Sequence, residues 1–226
     1  MIITIDGPAA SGKSTVAREV ARKLNLFYIA SGGLYRGLSY VLLHHFGYSL
    51  ETIDNPLLVD LQEALNPARF KYAYNNTTGE QIFFDSVDIS AYLKTSIIDS
   101  AASKMAESKI VHELLIEYQR LLADTQDIII DGRNCGSQVF PNADIKIYLT
   151  ASLAVRAARL QTMQLKKGVE ISLEQAEQQL AQRDLRDSQR PYAPLIKPAH
   201  SITLDNSNMS AEQTVQEIME VIKKKH

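Results

Sequence analysis

An α/β fold on a parallel sheet covered by helices on both faces is what this 226-residue sequence predicts, and three observations predict it. First, short runs rich in Ile and other strand formers recur at residues 2–5, 27–29, 127–132 and 145–149, with stretches of helical spacing between them. Strand and helix alternate, as in chains whose parallel strands are joined by crossover helices. Second, a glycine-containing segment links the first of these runs directly to the first helix. Third, the apolar period shortens to two between residues 70 and 84, which predicts a small antiparallel insertion inside the alternating chain.

Composition narrows the class. With 45% hydrophobic and 22% charged residues the chain is globular, so disordered and fibrous classes fall away. No apolar run approaches the ~18 residues of a membrane span, and the N-terminus lacks the basic-then-apolar order of a signal peptide. A soluble, cytoplasmic protein is expected, and a monomer. The one cysteine, Cys135, has no internal disulfide partner, gives no basis for a zinc site and reads as structural. A formal charge of −2 argues against a nucleic-acid partner, so any anion site must come from local clustering.

Taken in order, Ile2, Ile3, Thr4 and Ile5 form a short strand fit for burial. Gly7, Pro8, Ala9, Ala10, Ser11, Gly12, Lys13 and Ser14 then match G-x-x-x-x-G-K-[ST] at every fixed position. From Thr15 the spacing of Val16, Val20, Ala21 and Leu24 is helical. Strand, glycine loop and helix stand in the order a phosphate cradle requires. Gly7 and Gly12 let successive N–H groups face one anion, and the helix N-terminus adds its positive dipole end. Lys13 supplies a point charge for the outer phosphates, and the Ser14 hydroxyl is the expected Mg²⁺ ligand.

The second strand, 27–29, runs into Ser31-Gly32-Gly33, read as a turn opening a helix with Tyr35 and Arg36 in its first turns. A cation there is placed for an anion rather than for the helix dipole, the alternative being a plain surface arginine. Leu38, Val41, Leu42 and Phe46 form the buried stripe, while His44 and His45 read as surface or packing residues. A helix is expected over 51–65, ended by Asn66-Pro67. Phe70, Tyr72 and Tyr74 alternate as a strand, 75–79 is a turn, and 81–84 returns. The insertion spans about 66–95. Helices follow at 96–106 and 109–123.

Residues 127–132 read D-I-I-I-D-G, an apolar strand ending in Asp131. Ligands bind at the carboxyl ends of strands in open parallel sheets, so Asp131 points to the crevice of the phosphate loop; the alternative is a turn-forming Asp before Gly. Arg133 follows. After the strand at 145–149, a helix over 152–166 carries Arg156 and Arg159 three apart, and Lys167-Gly168 ends it. Ser172 with Gln175 forms a capping box for a helix to about 188 that carries Arg183 and Arg186, and Arg190 precedes Pro191. These two helices make an arginine-rich hairpin, a lid over 152–190; the alternative is a solvated surface in which Asp184 and Asp187 pair with the arginines. Thr203 and Leu204 belong to a last strand, and Ser210 with Gln213 caps a C-terminal helix ending in Lys223, Lys224 and Lys225. The core of this single domain comprises 1–65, 96–151 and 191–226.

Phosphoryl transfer fits these parts. Its charge-spread, in-line transition state needs positioning and electrostatic stabilisation by Mg²⁺, Lys and Arg, with no nucleophilic side chain. A closing hairpin of arginines would also keep water from the donor, meeting phosphate once both substrates are bound. The main alternative class, a nucleotide-dependent switch, would need a guanine-reading N-K-x-D stretch, which the sequence lacks, or a water-orienting glutamine near the phosphate loop, which the sequence does not place. A relative that binds nucleotides without turnover is a third reading.

At this point the whole chain resembles the bacterial-type cytidylate kinases of the nucleoside monophosphate kinase family. The resemblance rests on I-T-I-D-G-P-A-A-S-G-K-S-T from Ile3, S-G-G-L-Y-R from Ser31, D-G-R-N-C-G-S-Q-V-F-P from Asp131 and R-D-L-R-D-S-Q-R from Arg183. It implies a phosphorylation of CMP or dCMP by ATP with Mg²⁺, in a core sheet with a small monophosphate lobe and a mobile arginine lid. It implies that Ser31, Arg36, Arg133 and Arg190 hold the acceptor nucleotide, and that Arg183 and Asp187 lie near the sugar and the transferring phosphate. With the residue reading, it gives Lys13, Asp131, Arg133, Arg183 and Arg186 as the catalytic set. The loop from Gly7 through Thr15, with Arg156 and Arg159, is expected to hold ATP. The sequence departs from the family pattern where Asp usually precedes the Ser-Gly turn, here Ala30, and at the second Asp of D-G-R-D, here Asn134. The cytosine edge, typically read by Ser, Arg and Asp, corresponds here to Ser103, His112 and Asn134. Only the serine is retained, which bears on base selectivity and leaves the phosphoryl chemistry in place.

Overall fold

The computed structural model describes residues 1–225. Five parallel strands form the central sheet: β1 (Ile2–Asp6), β2 (Phe27–Ala30), β6 (Ile128–Gly132), β7 (Ile145–Thr150) and β8 (Ile202–Asp205), in the spatial order β2-β6-β1-β7-β8. The strands between them in sequence, β3 (Phe70–Asn75), β4 (Gly79–Phe84) and β5 (Val87–Asp88), form a separate antiparallel sheet.

Why both faces are covered is visible in β6. Side chains alternate along a strand, and here both sets are apolar and fully buried. Ile128 and Ile130 enter a cluster with Leu34, Leu38, Val41 and Leu42 of α2 (Ser31–His45), and with residues of α4 (Ser96–Met105), α5 (Lys109–Ala123) and the small sheet. Ile129 enters the opposite cluster, with Val16 and Val20 of α1 (Lys13–Leu24) and Val215, Ile218 and Ile222 of α8 (Ala211–Lys225). A third, smaller cluster joins the hairpin of α6 (Leu153–Leu165) and α7 (Leu173–Gln189) to the glycine loop through Ala9, Ala157, Ala176 and Leu180. Ser152 caps α6 through Val155 N–H, and Ser172 and Gln175 form the expected capping box on α7.

Three local expectations are corrected. The helix expected over 51–65 is only α3, Leu58–Ala64. Pro56 is the reason: it disfavours helical geometry at Asn55 and cannot donate a helical N–H. Ser31-Gly32-Gly33 is the first turn of α2 rather than a turn before it. The small sheet carries a third short strand, β5, that follows Asp85 and Ser86 at positive φ. His44 and His45 are exposed, and each ring packs against Tyr40. Cys135 is fully buried, and desolvation with the nearby Asp6 and Asp131 carboxylates pushes its thiol pKa up, opposite to an activated cysteine.

Candidate active site

The carboxyl ends of β1 and β6 lie side by side, with Ile5 opposite Asp131 and Asp6 opposite Gly132. The loop crosses above them. Gly7 has φ 151° and Gly12 φ 95°, and a Cβ on Gly7 would lie 2.0 Å from the Leu149 carbonyl oxygen of β7. Glycine is therefore required at position 7 on two counts, conformation and space. The first helical acceptor of α1 is Gly12 O, bonded by Val16 N–H at 3.1 Å, which leaves the amides before Val16 at the helix mouth.

Around this loop sits a set of oxygens and cations. Ser14 Oγ donates to Asp131 Oδ2 at 2.8 Å, and Tyr28 Oη donates to Asp131 Oδ1 at 2.5 Å. Lys13 is buried, with Nζ donating to Pro8 O at 2.6 Å. Burial, followed by the charge of Arg133, lowers its pKa well below that of a free lysine. Asp6 is fully buried and accepts from the amides of Cys135 and Gly136 at 2.7 Å each. Burial raises its pKa despite those two bonds. It thereby ties β1 to the π-type turn over Cys135–Val139 that follows Asn134.

The loop, the start of α2, the end of β6 and the cleft face of α7 line one cleft of about 1600 Å³. Ser31, Arg36, Ser103, His112, Arg133, Asn134, Arg183, Asp187 and Arg190 all line it, as do Lys13, Ser14, Thr15 and Asp131. Gly7, Pro8 and Ser11 lie beneath the loop surface; Ser11 O accepts from Arg159 Nη1 at 3.1 Å and Asn206 Nδ2 at 3.0 Å. Arg159 also lines the cleft.

Two expected arginines do not. Arg156 is buried and bonded to Ala151 O, Ala9 O and Asp184, the last at 2.6 Å, so it braces α6 against the loop and α7 instead of facing a nucleotide. Arg186 is exposed and outside the cleft lining. Arg183 and Asp187, four residues apart, take the cleft face of α7, and Arg186 is rotated off it.

The arginine cluster is not one of bare like charges. Asp187, 2% exposed, accepts from Arg133 Nε at 2.8 Å and pairs with Arg190 at 2.6 Å, and Arg36 pairs with Asp99 at 2.6 Å. Asp184, Asp187 and Asp99 neutralise part of the cluster within the protein. Arg183 is the exception, with no hydrogen-bond partner among the described residues. Open to the cleft on one side and crowded by protein on the other, it is desolvated and faces Arg133, which lowers its pKa to about 10.

At the far end of the cleft His112 and Asn134 are buried, with Asn134 Nδ2 3.0 Å from His112 Nε2. Tyr35 Oη lies 2.6 Å from His112 Nδ1, and Gln138 Oε1 lies 2.8 Å from His112 Nε2. Burial is the main cause that lowers the His112 pKa, with Arg190 adding to it, so the ring is neutral near pH 7. Ser103 is half-buried on α4.

Sequence reasoning missed Asp6, Tyr28, Asp99, Gln138 and Asn206. Asp6 carried a usable signal, since it ends β1 as Asp131 ends β6. A tyrosine inside a buried strand also needs a hydroxyl partner, which pointed to Tyr28. The others are set by pairings across more than 20 residues of chain or between elements with no local mark. Among the described residues no group of three or more His, Cys, Asp or Glu side chains is placed to hold a metal ion. No helix among them is long and apolar enough to cross a membrane.

Comparison with known proteins agrees with this geometry. A family model described as cytidylate kinase matches residues 3–224. The chain is 36% identical over 221 residues to a cytidylate kinase of Alkaliphilus oremlandii, covering 98% of this chain and 97% of that one. It is also 36% identical over 220 residues to a cytidylate kinase of Bacillus cytotoxicus, covering 97% and 95%. Among solved structures, an uncharacterized protein from Eubacterium ventriosum shares the fold, with a TM-score of 0.53 at 12% identity over 99% of this chain and 98% of that one.

Proposed function

The chain belongs to the cytidylate kinase family, and we infer from that premise that it phosphorylates CMP with ATP, in the cleft between the glycine loop and α7. The observation that carries the assignment of roles is the Ser14–Asp131 bond, flanked by Lys13 of the loop and Arg183 of the hairpin at one cleft.

In this reading the amides from Ala9 to Ser14 and the mouth of α1 hold the donor phosphates, with Lys13 neutralising the outermost ones. Ser14 Oγ and the Asp131 carboxylate are adjacent oxygen donors of the kind Mg²⁺ prefers, and they would hold the ion beside the donor phosphates. When bound, Mg²⁺ supplies neutralisation of charge on the phosphates. Arg36, Arg133 and Arg190 hold the acceptor phosphate, released for that purpose from Asp99 and Asp187. An oxygen of the CMP phosphate forms a bond to the γ-phosphorus of ATP as the bond to the leaving ADP oxygen breaks. The unpaired charge of Arg183 faces the equatorial oxygens on which negative charge is spread. No covalent intermediate on the protein is needed. The same reading extends to dCMP.

The test is release of ADP from ATP in the presence of CMP, dCMP, UMP, AMP or GMP at fixed Mg²⁺. ADP that appears with CMP and dCMP, more slowly with UMP, and not with AMP or GMP supports the assignment. ADP release without any acceptor would indicate an NTPase, and nucleotide binding without turnover a non-catalytic relative.

A further inference from the structure

The group behind the base-facing residues has an unusual hydrogen-bond geometry. His112 Nε2, Asn134 Nδ2 and Gln138 Oε1 form a closed triangle, with sides of 3.0, 3.3 and 2.8 Å. An amide nitrogen only donates, an amide oxygen only accepts, and an imidazole nitrogen does one or the other. Three such atoms in mutual contact always include two of the same role. One side of the triangle therefore cannot be a hydrogen bond.

An arrangement centred on Asn134 would set two like groups against each other across the shortest side, 2.8 Å, and one centred on His112 would ask a single imidazole nitrogen to serve two partners, so the two arrangements that remain both route their bonds through Gln138. In the first, His112 Nε2–H and Asn134 Nδ2–H both donate to Gln138 Oε1, Tyr35 O–H donates to His112 Nδ1, and Asn134 Oδ1 is turned away from the triangle. In the second, both amides are flipped. Gln138 Nε2 donates to His112 Nε2 and to Asn134 Oδ1, His112 Nδ1–H donates to Tyr35 Oη, and Asn134 Nδ2 is turned away. Every group changes role together, and the like-to-like side is the His112–Asn134 edge in both. Gln138 is firmly placed for this. Its N–H donates to Asn134 O at 2.9 Å, and Arg120 of α5 donates to the carbonyls of Gln138 and Val139 at 3.1 and 2.9 Å. It is absent from the cleft lining, so it acts through its neighbours.

We propose that Gln138 is a positioning residue for base selection, coupling the tautomer of His112 to the amide orientation of Asn134 so that the site presents an acceptor or a donor to the pyrimidine. The inference rests on the reading that Asn134 faces the C4 edge of the base. The first arrangement offers Asn134 Oδ1 to the amino group of cytosine. The second offers Asn134 Nδ2 to the carbonyl of uracil. Both are neutral and equally complete in hydrogen bonds, so the base itself selects the arrangement, and rejection of UMP loses the penalty of an unpaired buried group.

The test uses the full chain with ¹⁵N-labelled histidine, with His112 assigned by loss of its signals in His112→Gln. Imidazole nitrogen shifts are read with CMP bound and with UMP bound, alongside kcat and KM for both nucleotides. In the wild type, His112 should carry its proton on Nε2 with CMP and on Nδ1 with UMP. Gln138→Leu leaves Asn134 bonded to His112 alone, and the tautomer seen with CMP should reverse to Nδ1–H. Gln138→Glu only accepts and holds the first arrangement, so the ratio of kcat/KM for CMP over UMP should rise about tenfold through the KM for UMP. Unchanged kcat for CMP and KM for ATP would show that the variant is folded. The same tautomer with both nucleotides, no reversal in Gln138→Leu, or an unchanged ratio in Gln138→Glu would overturn the coupling. A wild type that binds CMP without phosphorylating it would defeat the kinase reading alone, and the nitrogen shifts would still decide the role of Gln138.

Discussion

Ser14 and Asp131 lie 117 residues apart in the chain and share a 2.8 Å hydrogen bond at the point where α1 begins and β6 ends. The bond has a consequence for the metal. Tyr28 holds the second carboxylate oxygen, so Asp131 is pre-oriented with one oxygen beside the loop hydroxyl. Asp131→Asn preserves the shape and removes the charge. Turnover should fall, and the Mg²⁺ concentration for half-maximal rate should rise, while ATP-independent binding of CMP changes little. A Mg²⁺ titration of the rate checks this, and an unchanged midpoint would remove Asp131 from the metal site.

Lys13 is buried against Pro8 O with its pKa lowered by desolvation and by Arg133. The phosphates of a nucleotide favour the charged form, so binding raises that pKa again. The sign follows: ATP binding takes up protons, and affinity weakens as pH rises through the lowered pKa of the free enzyme. Calorimetry in two buffers of different ionisation enthalpy measures the uptake. Lys13→Ala should abolish it and raise the barrier by about 3 kcal/mol, by analogy with other lost transition-state donors. Near-normal turnover with an intact fold would dismiss the role.

Asp187 is the pivot of the hairpin. Burial would raise its pKa, but Arg133, Arg190 and Arg183 outweigh it, and the group lies below the ordinary 3.8. A depressed carboxylate contributes stability that is present above its unfolded pKa and is lost as pH falls through the folded one, so this contribution disappears below about pH 4. Asp187→Asn leaves Arg133 and Arg190 uncompensated and should loosen α7 at neutral pH by about 3 kcal/mol. Hydrogen exchange across 173–189 is the measurement: faster exchange in the free variant, restored by ATP with CMP. If exchange there is the same in both proteins, Asp187 does not hold the hairpin.

How much of this was legible in the sequence depended on range. The glycine loop, the Ser172–Gln175 box and the alternating strands are local patterns, and the chain adopts them as read. The helix expected over 51–65 failed where a single proline outweighed the apolar spacing. The arginine cluster was legible as charge but not as pairing. Arg156 and Arg159 sit three apart on one helix, yet one turns into a buried bond with Asp184 and the other to the loop carbonyl of Ser11. Which carboxylate meets which guanidinium is decided by how α6 and α7 pack, and spacing along one helix cannot carry that.

The base end of the cleft yields the last prediction. An ionised Asp at position 134 only accepts, so its outward oxygen suits the amino group of cytosine and repels the carbonyl of uracil. Asn134 carries both roles and is adaptable. In this structure an Asp there would meet His112 Nε2 at 3.0 Å and Gln138 Oε1 at 3.3 Å. Both neighbours can comply: Gln138 by flipping its amide to donate to the carboxylate oxygen and to His112 Nε2, and His112 by carrying its proton on Nδ1. The substitution is therefore accommodated without an unpaired buried carboxylate oxygen. CMP and dCMP should remain substrates of the wild type with modest preference over UMP, and Asn134→Asp should raise the ratio of kcat/KM for CMP over UMP by about tenfold or more, the scale on which a site built around a hydrogen bond discriminates. The comparison requires both proteins at one ATP and one Mg²⁺ concentration. A wild type that already rejects UMP as strongly as the Asp variant would show that Asn134 is not the reader, and Ser103 or the backbone would have to discriminate the base.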